Sequence, residues 1–305
     1  MARMMHKEVD GIKVVGFSLA GEESVVALPE YNVCFDVGRA PREIISIDNV
    51  CLTHGHMDHA AGIAYYFSQR GFLGNSPGRL IVHHSLAPLI EDLMKTWARI
   101  EGHPSEIEVV PVEPMQDVPI RRGLIVRPFA VNHVRTSLGF SVIEIRHKLK
   151  AEFHGKTGPE LVALKKDGVE IEERTECPMA TFTGDTALGR FLHHDFVRQS
   201  RVLIVECTFF ESEHEVRARA GRHIHAEDLP EILACVPEAQ ILLVHLSRRT
   251  DFRTAKKTLL ELVKPDDVER ITFLMERPPR PQRGGDGGSE RSRRTPSATS
   301  PAEPG

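Results

Sequence analysis

The segment Val50-Cys-Leu-Thr-His54-Gly-His56-Met-Asp58-His59 puts four side chains able to ligate a metal within six residues, directly after an apolar run. Imidazole nitrogen and carboxylate oxygen are donors that zinc takes at ~2.0–2.2 Å. In an extended strand exit, alternation places His54, His56 and Asp58 on one side, and His59 comes round as the next helix begins. Four such groups crowd one small ion, so the pattern favours two ions sharing the cluster. Two ions need further ligands. His133 in RPFAVNHVR, Asp185 in ATFTGDT and His245 in ILLVHLSRR each stand at the exit of an apolar run, where open sheets place their sites. Seven groups of this kind can hold two ions ~3.5–4 Å apart around a shared water and lower its pKa toward neutral. Asp58, touching that water, would orient it and accept its proton. The chemistry is hydrolysis by a metal-activated hydroxide.

Strand ends must carry these residues. Short apolar runs between turn signals predict strands at Ile12–Phe17, Ser24–Leu28, Val33–Val37, Val50–Thr53, Leu80–Val82, Glu108–Val112, Leu124–Phe129 and Gly139–Ile145. Four more follow at Met179–Thr183, Val202–Glu206, Gln240–Val244 and Thr272–Met275. Helical spacing is found at His59–Arg70, Leu86–Arg99, Ala226–Ala234 and Asp251–Val263. Many strands with helices between them, and no linker within residues 1–276, predict one domain of layered sheets covered by helices. From Arg277 onward the chain is Pro, Arg, Gly and Ser without apolar periodicity, and residues 277–305 are expected to be a disordered tail.

Composition narrows the class. The 305 residues carry a net charge of −4, and 16 of them are histidine, about twice an ordinary share. The tail holds six arginines against Asp286, Glu290 and Glu303, which leaves the body at −7. Whole-chain charge therefore does not announce a nucleic-acid binder. Five scattered cysteines, none in CxxC spacing, suit a reducing compartment. Without an apolar run of ~18 residues or a secretory h-region, a cytoplasmic protein with no membrane partner is expected. No phosphate-cradling glycine loop precedes a helix, so no nucleotide cofactor is indicated. Trp97 is read as a packing residue, and His193-His194 as solvated.

The blocks HGHMDH, AVNH, FTGD, ECTF and VHLS, in this order, resemble the metallo-β-lactamase superfamily. Within it they resemble the ribonuclease Z branch, the tRNA 3′-end endonucleases, over nearly all of residues 10–265. The likeness is closest to the short plant-type form, through Lys148-Leu-Lys, Gly168-Val-Glu-Ile and Arg222-His223-Ile-His225. It implies an α/β (α+β) fold, the four-layer αββα metallo-β-lactamase sandwich, with two Zn2+ per chain at the edge of the sheets. One ion would take His54, His56, His133 and Asp185. The other would take Asp58, His59, Asp185 and His245, with Asp185 bridging. The resemblance also implies a Glu206–His223 pair that protonates the leaving group. On residue types alone, His225 could fill the place of His223. A carboxylate holding an imidazole raises its pKa and keeps an acid available near neutrality.

The implied substrate is precursor tRNA or another RNA, cut 3′ of the discriminator base, and the implied assembly is a homodimer in which one subunit grips RNA cut by the other. Arg135, Arg248 and Arg249, close in sequence to His133 and His245, are candidates for phosphate contacts. The family's gripping arm lies between the counterparts of His133 and Asp185. This interval is short here and carries Lys148, Lys150, Lys156, Lys165 and Lys166, so no long projection is expected. Where the family has a PxKxRN-type loop, this chain reads Gly21-Glu22-Glu23-Ser24, which is acidic. Two other readings keep the ligands: a small-molecule hydrolase acting on a cyclic nucleotide, lactone or ester, and a non-catalytic zinc-binding RNA module.

Overall fold

The computed structural model describes residues 4–277; the tail reading, Arg277 apart, lies outside them. The first half of the chain lays down one seven-stranded sheet in sequence order. Its strands are β1 (Met5–Val9), β2 (Ile12–Leu19), β3 (Glu23–Leu28), β4 (Val33–Phe35), β5 (Asn49–Cys51), β6 (Gly78–His83) and β7 (Ile107–Val112). The second half lays down another: β8 (Val118–Arg121), β9 (Leu124–Ala130), β10 (Leu138–Leu149), β11 (Glu172–Phe182), β12 (Val202–Glu206), β13 (Gln240–Val244) and β14 (Ile271–Phe273). In each sheet the first four strands pair antiparallel and the last four parallel. The two halves thus repeat one topology, a symmetry the residues themselves do not display.

The apolar faces explain the layering. Val26, Leu28 and Phe35 from one sheet meet Phe140, Phe182 and Ile204 from the other in a shared core; Phe35 and Phe182 stack at 4.9 Å. A second cluster lies under the helices α1 (Met57–Ala60), α2 (Ile63–Phe72) and α3 (Ala87–Glu101). A third lies between the other sheet and α5 (Asp195–Arg198), α7 (Leu229–Cys235) and α8 (Phe252–Leu262). The remaining helices are α4 (Gly158–Lys166), α6 (Glu215–Gly221) and α9 (Pro265–Val268). The result is helix, sheet, sheet, helix, as expected.

Several local expectations differ. The strand after Val50 stops at Cys51, and Asp58 already sits in the first turn of α1. The helix expected over His59–Arg70 is two helices, α1 and α2, broken at Ala61-Gly62, where Gly62 packs so closely on Arg39 and Ala40 that a Cβ would clash. Beyond Glu144, β10 pairs only with β11, from Ile145↔Glu176 to Leu149↔Glu172. A short two-stranded ribbon tipped by α4 therefore projects past the sheet. Beyond Ile145 its strands are mostly charged, and Lys165 is paired with Glu172 at 2.7 Å rather than left as free positive charge. His194 is not free in solvent: it stacks on Phe196 at 5.0 Å. Trp97 is 39% exposed on α3 instead of packed.

Candidate metal centre

The exits of β5, β11 and β13 and the β9–β10 loop meet at one edge of the two sheets. They bring together all seven side chains expected there. His54, His56, His133 and Asp185 offer ligand atoms within 4.8 Å of one another, and so do Asp58, His59 and His245. Asp185 joins the two groups. Its Oδ2 lies 3.4 Å from the Nε2 atoms of His59 and His245, and 3.9 Å from those of His54 and His133. Asp58 Oδ2 is 3.5 Å from His245 Nε2 and 3.7 Å from His59 Nε2. Ligands placed tetrahedrally around an ion at ~2.0–2.2 Å lie about 3.3–3.6 Å apart, so separations of 3.4–3.9 Å are within a few tenths of an ångström of those of donors facing a common cation.

Four of the five imidazoles have their tautomer set from behind; the fifth, His56, instead turns Nδ1 toward His54 and His133. His59 donates Nδ1–H to Asp36 at 2.7 Å. His54 donates Nδ1–H to the Thr53 hydroxyl at 3.0 Å, which itself donates to the Asp36 carboxylate at 2.9 Å. His245 donates Nδ1–H to the Thr208 hydroxyl at 3.1 Å, and Thr208 donates to Glu206 at 2.6 Å. His133 donates Nδ1–H to the Arg222 carbonyl at 3.3 Å. All four therefore turn an Nε2 lone pair into the centre. The Nε2 atoms of His59 and His245 are buried there with no hydrogen-bond partner, a costly arrangement unless a cation takes the lone pairs. These residues fit divalent metal.

The electrostatics agree. Burial works against a charged His59, yet Asp185 and Asp36 outweigh it and hold its pKa well above the ordinary imidazole value. Burial opposes ionisation of Asp185 as well, but His245 and His59 hold its carboxyl well below the usual range. Asp58 is held below that range against its own burial, chiefly by the facing His245 imidazole. His54, buried beside other imidazoles, is held neutral. The pocket is built to stabilise positive charge.

Asp36, Thr53 and Thr208 were not singled out from the sequence. Asp36 is fully buried just after β4, with φ 57°, a left-handed conformation that costs a non-glycine residue about 1–2 kcal/mol. His245 shares it, with φ 59°. Gly184, with φ 60°, lets the β11 exit lie against Thr53, since a Cβ there would stand 2.8 Å from the Thr53 methyl. Replacing Asp36 by asparagine keeps the shape but removes the charge behind His59 and the Thr53–His54 link. We expect a loss of metal affinity of about 10–100-fold in chelator competition, with the far-UV spectrum unchanged; unaltered affinity would reduce Asp36 to a packing residue.

Beside this centre, Glu206 is fully buried at the end of β12 and accepts His223 Nδ1–H at 2.8 Å, Thr186 N–H at 2.7 Å and the Thr208 hydroxyl. His223 reaches the pair from the loop between α6 and α7. Burial lowers the pKa of His223, but the Glu206 carboxylate more than offsets it and holds the imidazole up at about 9. His225 points elsewhere: its Nε2 donates to the Glu211 carbonyl and its Nδ1 accepts from Glu227 N–H at the start of the next helical turn. Arg135, Arg248 and Arg249 are exposed near the centre. A lesser group, His83, His84 and Glu113, lies at the ends of β6 and β7, with His84 Nε2 3.0 Å from Glu113.

Two facing sheets with helices outside, and a histidine–aspartate cluster where their strands end, define a metal-dependent hydrolase. A sequence profile described as a beta-lactamase superfamily domain matches residues 32–246. The chain is 30% identical over 274 residues to tRNase Z TRZ1 of Arabidopsis thaliana, covering 87% of this chain and 96% of that protein. It is also 30% identical over 262 residues to the chloroplastic tRNase Z TRZ2 of the same plant, covering 84% and 73%. In fold it is similar to the metallo-beta-lactamase fold protein YhfI from Bacillus subtilis, with TM-score 0.58, 14% identity and coverage of 86% and 95%. It is similar also to the short form of human tRNase Z, with TM-score 0.51, 14% identity and coverage of 81% and 92%. The chain belongs to the beta-lactamase superfamily and, within it, to the tRNase Z/ribonuclease Z family. No helix among the described residues is long and apolar enough to cross a membrane.

Proposed function

We propose that this protein is an endoribonuclease that removes 3′ trailers from precursor tRNA, using two zinc ions held by His54, His56, His133 and Asp185, and by Asp58, His59, Asp185 and His245. The observation that carries this reading is the Glu206–His223 pair standing beside the seven-group cluster. Lactone or thioester hydrolysis has no need of such an acid, whereas an RNA 3′-oxygen is a poor leaving group without a proton. The names of the plant relatives point to the same substrate.

Bound metal would supply Lewis acidity at the phosphodiester and a nucleophilic water near neutral pH. Asp58, held by the Gly21 N–H at 2.8 Å, orients that water and takes its proton. As the new P–O bond forms, the P–O3′ bond breaks. His223 keeps Nδ1–H on Glu206 and gives its Nε2 proton to the departing O3′. The products are a tRNA 3′-hydroxyl and a trailer 5′-phosphate. Arg135, Arg248 and Arg249 hold neighbouring phosphates.

We further propose a homodimer. Leu89, Leu93, Trp97 and Ile100 form one exposed apolar stripe along α3, and Tyr65 and Phe72 are exposed on α2. Such a patch suits a second copy of the same surface. Residues 1–276 are taken as the hydrolase domain and residues 277–305 as an appended tail. The five unpaired cysteines suit the reducing cytoplasm.

The direct test incubates the zinc-loaded protein with tRNA bearing a 3′ trailer and, separately, with bis(p-nitrophenyl) phosphate. We expect release of an intact trailer and a mature 3′-hydroxyl. Cleavage of the small ester alone would assign the site to small phosphodiesters.

A further inference from the structure

The turn between β2 and β3 is pinned against the metal centre. Leu19 bridges to Leu246, next to His245, and Ala20 N–H donates to the Leu246 carbonyl at 3.1 Å. Gly21 N–H donates to Asp58. The Glu22 carbonyl accepts Arg39 Nη2 at 3.0 Å, and the buried Glu23 carboxylate accepts Arg39 N–H at 2.9 Å. From this fixed turn the Glu22 carboxylate reaches Arg248 Nε at 3.2 Å; Glu22 is 25% exposed and Arg248 70%. The backbone that carries Glu22 is thus fixed, while the largely exposed Arg248 side chain has room to swing.

We propose that Glu22 is a selectivity-determining counter-charge: Arg248 must leave Glu22 before it can take an RNA phosphate. This rests on the endoribonuclease reading above. One guanidinium cannot serve a carboxylate and a phosphate fully at once, and Glu22 remains beside any phosphate that displaces it. The pair therefore weakens the grip on a polyanion. A small phosphodiester held at the metals alone does not need Arg248 and is indifferent to it. An exposed pair of this kind is worth a factor of about two to five in an equilibrium constant.

The experiment uses the zinc-loaded full chain. Glu22→Gln is expected to lower KM for trailer-bearing tRNA about two- to five-fold with kcat unchanged, and to leave kcat/KM for bis(p-nitrophenyl) phosphate as it was. The fall of RNA affinity with salt should steepen by up to about one unit of log–log slope, because one more cation is free to release counterions. Arg248→Ala should cost more in the Glu22→Gln background than in the native one. An equal or higher KM for Glu22→Gln would overturn the proposal. So would a gain that persists undiminished once Arg248 is removed, since Glu22 would then act by general repulsion. Wild-type protein that neither binds nor cleaves the tRNA would sink the endoribonuclease reading and this inference with it. Cleavage by wild type with an unmoved KM in the variant would sink this inference alone.

Discussion

His223→Ala is expected to lower cleavage of trailer-bearing tRNA by about 10²–10⁴-fold while the protein still binds its full complement of metal. The imidazole is the group proposed above to protonate O3′. It is 17% exposed, its Nδ1–H is committed to Glu206, and its ring lies beside Asp185 and His245. Because His223 also lies within ligand range of Asp185 and His245, metal content separates the two roles it could play: a fall in bound metal would make it a ligand. The pH profile gives a second readout. An acid held up at about 9 by its carboxylate stays protonated through neutrality, so activity is retained there and lost as pH rises through that value. Bound cations draw the pKa down, which places the alkaline limb at or below about 9. Glu206→Gln removes the charge that raises it and should move the limb lower still; an unmoved limb would assign it to another group.

Asp185→Ala should have the other large effect: loss of at least one metal per chain and a fall in activity of about a thousandfold or more. Loss of a residue that merely orients a ligand costs 10–100-fold. Asp185 offers a single oxygen to four imidazoles at 3.4–3.9 Å, so its removal deprives both halves of the cluster at once. Asp185→Asn keeps the volume and one oxygen but loses the charge, and should fall between the two. Full metal stoichiometry in the alanine variant would remove the bridging role.

Much of this centre was legible because ligand-type residues stood at the ends of apolar runs. Val202–Glu206 and Gln240–Val244 are strands with those bounds, and Glu206 and His245 end or follow them. Asp36 escaped because the run Val33–Val37 reads as continuous strand; only a carboxylate before Val37-Gly38 hinted that the chain turns there. Thr53 and Thr208 carry no signal of their own, since a hydroxyl in or near a strand is commonplace. Strand β1 was missed although Asp10-Gly11, both at positive φ (48° and 71°), is a turn signal between two runs. The distal β10–β11 ribbon, mostly charged beyond Ile145, left no continuous apolar run. The choice between His223 and His225 needed three dimensions: two residues apart, one imidazole meets Glu206 while the other caps the next turn.

Everything turns on whether the seven converging groups hold two cations. Anomalous diffraction at the zinc edge, from crystals of the zinc-loaded protein, tests this most directly. Two peaks ~3.5–4 Å apart are expected, both within ~2.2 Å of the Asp185 carboxylate. A single peak, or zinc at His83, His84 and Glu113 with none at Asp185, would contradict it.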